Sequence, residues 1–553
     1  MKKRLIALWW TVDLFFEQYR SLVVLFALVV FLHIPSYFEP YWYGDEAIYL
    51  TVGEGINQGK ILYKDIVDHK TPVIYYLARV PNQLSFRLLL TAWMIPIAAA
   101  LLYLARICIP NRRVAWLTAA AITIAISLPT FEGMIPNGEL FVLGFFLSGL
   151  ALLIHTLQSI KLQRIPSLNL TKLQSIQRVA TTIGKLLHLK QQLTLLLSGM
   201  LFGLAVLTKV PASFDVAAAF LLIALTFIFL RTQSKATGAQ LSATLQFVAT
   251  AFWVALGAAL PVLLSIVYFA TQGALADYLQ FGLLYNLHYT GTWVPETTIL
   301  LSQLFFSLKT KLLLVILAST AALVLGKKIK PMTLFLTVWV WWALIATSLS
   351  NRPYPHYALQ LLPPLGLFVG MMLYQFWVVI RTHKNTPQLI TKAILFVTTI
   401  ALVLYGNAAL GFWKSRYSAT EYYQKIFKVI TKQISPTEYY MSFNPLIADN
   451  QRVADYINLT HPEEIYIWGT DPMLYAQTHT TPTDKFTVLF HVADLNVYDQ
   501  TIDHIISGAP EYIVIMKDAE KTPRKLRLYI NNNYKPVYNL EYLTLWERQS
   551  ATL

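Results

Sequence analysis

The sequence predicts a mainly α-helical, polytopic membrane protein of about eleven transmembrane helices followed by a small C-terminal α/β domain. Three observations predict it. Hydrophobic residues make up 56% of the 553-residue chain and charged residues only 13%, where a soluble domain carries roughly 25% charged residues. The apolar residues are gathered into runs of about 18–25, long enough to cross a hydrocarbon core of roughly 30 Å. After residue 412 the charged and polar residues return and the apolar runs shorten to strand length.

The spans are expected near 21–38, 86–109, 114–130, 139–157, 193–209, 212–230, 245–270, 310–326, 332–349, 356–380 and 393–412. Helices are the form to expect, because lipid offers no partner for backbone polar groups and an apolar helix satisfies its own. Alternate loops hold the basic residues: Lys2, Lys3, Arg4 and Arg20; Arg112 and Arg113; Lys161, Arg164, Lys172, Arg178, Lys185 and Lys190; Arg231 and Lys235; Lys327, Lys328 and Lys330; Arg381 and Lys384. The positive-inside rule makes these cytoplasmic, with a cytoplasmic N-terminus and an external C-terminal domain; the membrane expected is the plasma (inner) membrane, with that domain periplasmic. The formal charge of +15 then reflects loop bias, and no nucleic-acid partner is expected. Lys309 and Lys311 break the pattern; snorkelling to headgroups is the favoured reading over holding an anionic lipid. The N-terminus shows no small-residue cleavage site and reads as an uncleaved anchor. The single cysteine, Cys108, excludes an internal disulfide and reads as a small buried hydrophobe.

Two domains follow: 1–412 in the membrane, with an external first loop at 39–85, and 413–553 outside it. Strands are expected at 464–469, 486–492 and 511–518. The second domain has no glycine-rich phosphate loop, which leaves it a structural cap or an acceptor-binding surface.

Candidate chemistry concentrates at one face. The first external loop carries Asp45 and Glu46 just after the first span, then Asp65, Asp68, His69 and Lys70. Unpaired charge beside lipid is costly, so it usually serves a function. The same face receives Glu132, Asn137 and Glu139 (EGMIPNGEL), Lys209 (LTKVP), Asn286, His288 and Tyr289 (LLYNLHYTG), and Arg352, His356 and Tyr357 (SNRPYPHY). This co-facial grouping holds in either orientation. Asp45 also fits a helix N-cap, and Lys70 a snorkelling lysine. Arg87 reads as an interface anchor.

In these stretches the chain resembles the family C membrane glycosyltransferases (GT-C), and more closely their bacterial branch related to dolichyl-phosphate-mannose protein mannosyltransferases and aminoarabinose transferases. The resemblance rests on Asp45-Glu46, the stretch GKILYKDIVDHKTP, PNGEL, LTKVP and RPYPHY, and covers roughly residues 20–410. It implies an enzyme that transfers a hexosyl or pentosyl unit from a polyprenyl-phosphate sugar to a glycan, lipid or protein acceptor at the outer membrane face, with inversion. On that resemblance Asp45 is the general base and Glu46 its supporting partner. Lys70 contacts the donor phosphate, Arg352 is the second phosphate ligand and Lys209 a third. Asp68, Glu139, His356 and Tyr357 complete the substrate site. His69 stands where some relatives carry a carboxylate metal ligand. With His288 or His356 it makes a weak set for a divalent ion, and no cofactor is assigned. One departure is Thr71 after Lys70, where relatives often show a second proline. Competing readings are a transporter or flippase of lipid-linked sugars, which requires charges through the bilayer midplane and inverted repeats, and a polysaccharide polymerase or ligase.

Overall fold

The computed structural model describes residues 19–160, 187–233, 237–290, 293, 306–327, 329–382, 389–517, 519 and 522–549. The expectations for Lys2, Lys3, Arg4, Lys161, Arg164, Lys172, Arg178, Lys185, Lys235, Lys328 and Lys384 lie outside these residues.

Among the described residues, nine helices are long and apolar enough to span a membrane: α1 (Tyr19–Phe38), α3 (Gln83–Cys108), α5 (Gly138–Ser159), α6 (Leu189–Thr208), α7 (Ala212–Gln233), α8 (Thr237–Thr271, spanning from Gln240), α9 (Leu308–Leu325), α11 (Leu362–Thr382) and α12 (Leu389–Leu410). Two other predicted spans are shorter helices, α4 (Arg112–Ala125) and α10 (Pro331–Thr347). α4 was expected to reach residue 130. It stops because Pro129 removes a donor and disfavours helical geometry at Leu128, which is extended at φ −81°, ψ 148°. Large apolar side chains such as Leu263, Leu264, Val267, Ile316, Ile394 and Val397 stay exposed on the helix exteriors, which is where lipid replaces water in a membrane protein. The chain is therefore multi-pass.

α6 and α8 pack through glycines. A methyl group added to Gly199 would strike the Val254 carbonyl, and one added to Gly257 would strike the Leu196 carbonyl. Small residues at such a crossing let two backbones approach closely, and in lipid that packing is a main source of helix association. Gly257→Leu should therefore lower the yield of monodisperse protein and its melting temperature, by about 1–3 kcal/mol of overpacking. Detergent size-exclusion melting curves matching wild type would refute this.

The first loop, 39–85, is itself structured. It contains the helix α2 (Gly44–Asn57) and a short helix at Val73–Leu77. Beyond residue 412 stands a five-stranded sheet in the order β2-β1-β3-β5-β4, made of β1 (Glu464–Trp468), β2 (Thr481–Pro482), β3 (Tyr512–Met516), β4 (Tyr534–Asn539) and β5 (Leu543–Arg548). β1 pairs in parallel with β2 and β3, and β5 runs antiparallel to β3 and β4. The strand expected at 486–492 is not there. Val488 is extended, and the chain then turns into the helix α13 (Leu489–Leu495). A short continuous apolar run has no period to separate strand from helix.

The C-terminal domain is fastened to the first loop. Val67 N–H donates to the Lys485 carbonyl at 2.7 Å, and Lys60 Nζ lies 2.6 Å from Glu464 Oε1. Tyr285 of the 278–289 segment donates to Asp494 at 2.6 Å.

Candidate active site

A cavity of about 880 Å³ opens at the membrane end where α5, α7, α9 and α11 begin and α6 and α10 finish. Asp45, Lys70, Glu139, Lys209, Arg352, His356 and Tyr357 line it, together with His69, Glu132, Asn286 and Tyr289. Apolar residues, including Leu283, Leu287, Leu308 and Leu312, line it as well.

Asp45 sits in the first turn of α2, where the exposed N–H groups and helix dipole favour an anion. It does not act as an N-cap, a position taken by Tyr43. Its side chain is 29% exposed; Oδ2 lies 3.4 Å from Lys70 Nζ and accepts from the Tyr49 hydroxyl at 3.2 Å. Burial pushes the carboxyl up, but Lys70, His356 and Lys209 outweigh it and hold its pKa below the ordinary range. Lys70 Nζ also lies 3.6 Å from Asp68 Oδ2. Burial disfavours its charge, yet Asp45 and Asp68 raise its pKa well above normal, so it stays an ammonium.

Glu46 does not reach the cavity. Successive helical residues diverge by about 100°, and Glu46 points into a buried pair with Arg87, donated to by Nε at 2.9 Å and Nη2 at 2.7 Å. Arg87 Nη1 donates to Glu39 at 2.9 Å. The interface-anchor reading of Arg87 is thus corrected: it is fully buried and fixes the start of α2 to α3. Glu46 supports Asp45 by holding its helix.

Asp68 also lies behind the cavity wall, fully buried. Tyr75 donates to its Oδ2 at 2.6 Å. Its Oδ1 faces His69 Nδ1 at 3.1 Å and His491 Nε2 at 3.5 Å. Burial raises its carboxyl, but Lys70 and His69 dominate and hold it well below the usual range. His491, on α13, is kept neutral by burial, its pKa lowered to about 3. Asp68, His69 and His491 are the group among the described residues whose donor set could hold a metal ion. The other weak metal candidates do not join it: His288 is exposed beside Tyr285, and His356 binds Glu132.

Lys209 pairs with Glu139 and lies 4.4 Å over the Tyr357 ring. Arg352 donates to the Tyr289 hydroxyl at 2.7 Å and stacks 4.0 Å above that ring. His356 Nδ1 meets Glu132 Oε2 at 2.5 Å and the Tyr43 hydroxyl at 2.9 Å, and Tyr43 also donates to Glu132. Glu132 occupies the left-handed region at φ 57°, ψ 31°, an unfavourable place for a non-glycine residue that clusters at functional sites. Burial lowers the His356 pKa, but Glu139 and Glu132 more than compensate, raising it above 6.5. A raised folded-state pKa stabilises fully below 6.5 and loses its effect as pH climbs through the folded value. Melting temperature should accordingly fall as pH rises above that of a free histidine, and Glu132→Gln should flatten the decline. Identical pH–melting curves for the two proteins would refute it.

Lys311 does not snorkel. It is buried, donating to Asn351 Oδ1 at 2.6 Å and to the Ser348 carbonyl, and so closes the carbonyl end of α10. Lys309 is exposed. Sequence reasoning missed His491, Phe490, Tyr417 and Phe443, which the C-terminal domain brings against the loop or the cavity. A lone histidine inside the apolar run FTVLFHV gives no signal of its own.

No protein-family model matches the chain, and no curated protein does. Among solved structures, the chain is similar to ArnT from Cupriavidus metallidurans in the apo state, at 12% identity over 95% of this chain and 97% of that one, with a TM-score of 0.47. It is also similar to the oligosaccharyltransferase AglB from Archaeoglobus fulgidus in complex with an inhibitory peptide and a dolichol-phosphate, at 13% identity over 97% of this chain and 75% of that one, with a TM-score of 0.41. Likeness at this level supports no statement about activity.

Proposed function

We propose that the chain is a GT-C-like glycosyltransferase of about eleven spans that moves a sugar from a polyprenyl-phosphate donor to an acceptor at the outer membrane face. The support is one juxtaposition: Lys70, Lys209 and Arg352, from three distant segments, line the same cavity as Asp45, and leucines line it too. The cations suit a phosphate, and the leucines suit the prenyl chain.

In the proposed step an acceptor hydroxyl attacks the anomeric carbon as the carbon–oxygen bond to phosphate breaks. The acceptor proton passes to Asp45, and the phosphate leaves as an anion with its lipid. A phosphate needs charge stabilisation more than a proton, so cations aimed at it supply the larger share of the catalysis. Asp45 is a weak base, but its carboxylate is fully ionised at neutral pH, and the hydroxyl grows acidic as its bond to carbon forms. Glu139 orients a sugar hydroxyl or holds Lys209. In this reading the membrane is the plasma membrane, the N-terminus is cytoplasmic and residues 413–553 are external.

The test is incubation of the chain in liposomes with radiolabelled polyprenyl-phosphate sugars and candidate acceptors. A new glycosidic product is expected from wild type. Lys70→Ala and Arg352→Ala should each lose about 10–100-fold, largely in donor use, as charge-assisted phosphate bonds worth roughly 1.5–3 kcal/mol are removed. Movement of label across the bilayer with no new bond would instead make the chain a flippase.

A further inference from the structure

We infer that Asp68, His69 and His491 form a binding site for a tetrahedral divalent transition metal of the zinc class, fastening the C-terminal domain to the first external loop. The three ligand atoms make a nearly equilateral triangle. His69 Nδ1 to His491 Nε2 is 3.0 Å, His69 Nδ1 to Asp68 Oδ1 is 3.1 Å, and His491 Nε2 to Asp68 Oδ1 is 3.5 Å. Zinc bonds to nitrogen and oxygen of roughly 2.0–2.1 Å give tetrahedral edges of about 3.3–3.4 Å. The triangle is thus the face of a zinc tetrahedron with little adjustment.

The chemistry of the atoms agrees. All three side chains are buried, and the polar neighbours of Asp68 Oδ1 are the two imidazole nitrogens themselves, at 3.1 Å and 3.5 Å. Its other oxygen is oriented by Tyr75 at 2.6 Å and by Lys70 at 3.6 Å, as outer partners usually orient a metal-binding carboxylate. Two imidazole nitrogens 3.0 Å apart can share only one proton. A metal satisfies both and the carboxylate together. His69 also borders the cavity, and three protein ligands leave the fourth position to water or a substrate oxygen. Two ligands come from the loop that carries Lys70 and one from α13, so the ion would join the domains and set the lysine's position at once.

The experiment uses the full-length chain in detergent, stripped with a chelator and dialysed against zinc. Elemental analysis should find about one zinc per chain, cobalt should give the visible absorption of a tetrahedral site, and zinc should raise the melting temperature. His491→Ala and His69→Ala should lose all three responses. His504→Ala, an exposed histidine of the same domain, should keep them. Monodisperse wild type that retains no zinc and melts unchanged in its presence would overturn the site. So would His491→Ala binding zinc as wild type does. None of these readings involves sugar transfer, so the metal site and the transferase reading stand or fall separately.

Discussion

On the proposed mechanism, Asp45→Asn is expected to reduce sugar transfer by about 10²–10⁴-fold, the range a positioned general base contributes. The amide keeps the shape of the carboxylate and the hydrogen bond from Tyr49, but it cannot accept the acceptor's proton. It also releases Lys70 from the closer of its two carboxylates, at 3.4 Å against 3.6 Å for Asp68. Donor affinity should therefore hold or improve while the rate collapses, which separates loss of a base from loss of a binding site. Single-turnover transfer in liposomes, with donor KM measured alongside, is the check. A folded Asp45→Asn protein with undiminished turnover would remove the base from this residue. Because the neighbouring cations hold the Asp45 pKa below the ordinary range, the acid limb of wild-type kcat/KM should also lie below the usual carboxylate range.

Arg87→Met should produce the largest loss of stability. Arg87 is fully buried and bridges Glu39 and Glu46, which are themselves buried; Tyr422 of the C-terminal domain also donates to Glu39. Removing the cation strands two carboxylates away from water, and breaking a buried pair from one side typically costs about 3–5 kcal/mol. Arg87→Lys should fall between, since an ammonium cannot serve both carboxylates through a planar fork. Glu46→Gln should be milder than Arg87→Met, because it removes a charge rather than orphaning two. Melting curves by detergent size exclusion give the order directly. An Arg87→Met protein as stable as wild type would show that the triad contributes little and that α2 is positioned by packing alone. This triad also explains why adjacent acidic residues divide their work: the helix sends Asp45 to the cavity and Glu46 to the scaffold.

The membrane character of the chain was legible because apolar length is a local property: a run of some twenty apolar residues meets the bilayer's requirement wherever it occurs. The gathering of Asp45, Lys70, Glu139, Lys209, Arg352, His356 and Tyr357 at one face was legible for a related reason, since alternate span ends must share a side. The failures are equally specific. The end of α4 turned on Pro129, and the 486–492 run on an absent period. Lys311 was misjudged because its partners, Ser348 and Asn351, lie some forty residues away in the chain. By itself the sequence determined which residues stand at the same membrane end as the cavity. Only the tertiary structure decided which of them face it, which are spent on the scaffold as Glu46 and Arg87 are, and that His491 arrives from the far domain to complete a cluster with Asp68 and His69. The reason is physical: a hydrophobic span is recognised by its own residues, whereas a site is fixed by contacts between side chains whose separation along the chain carries no information about their separation in space.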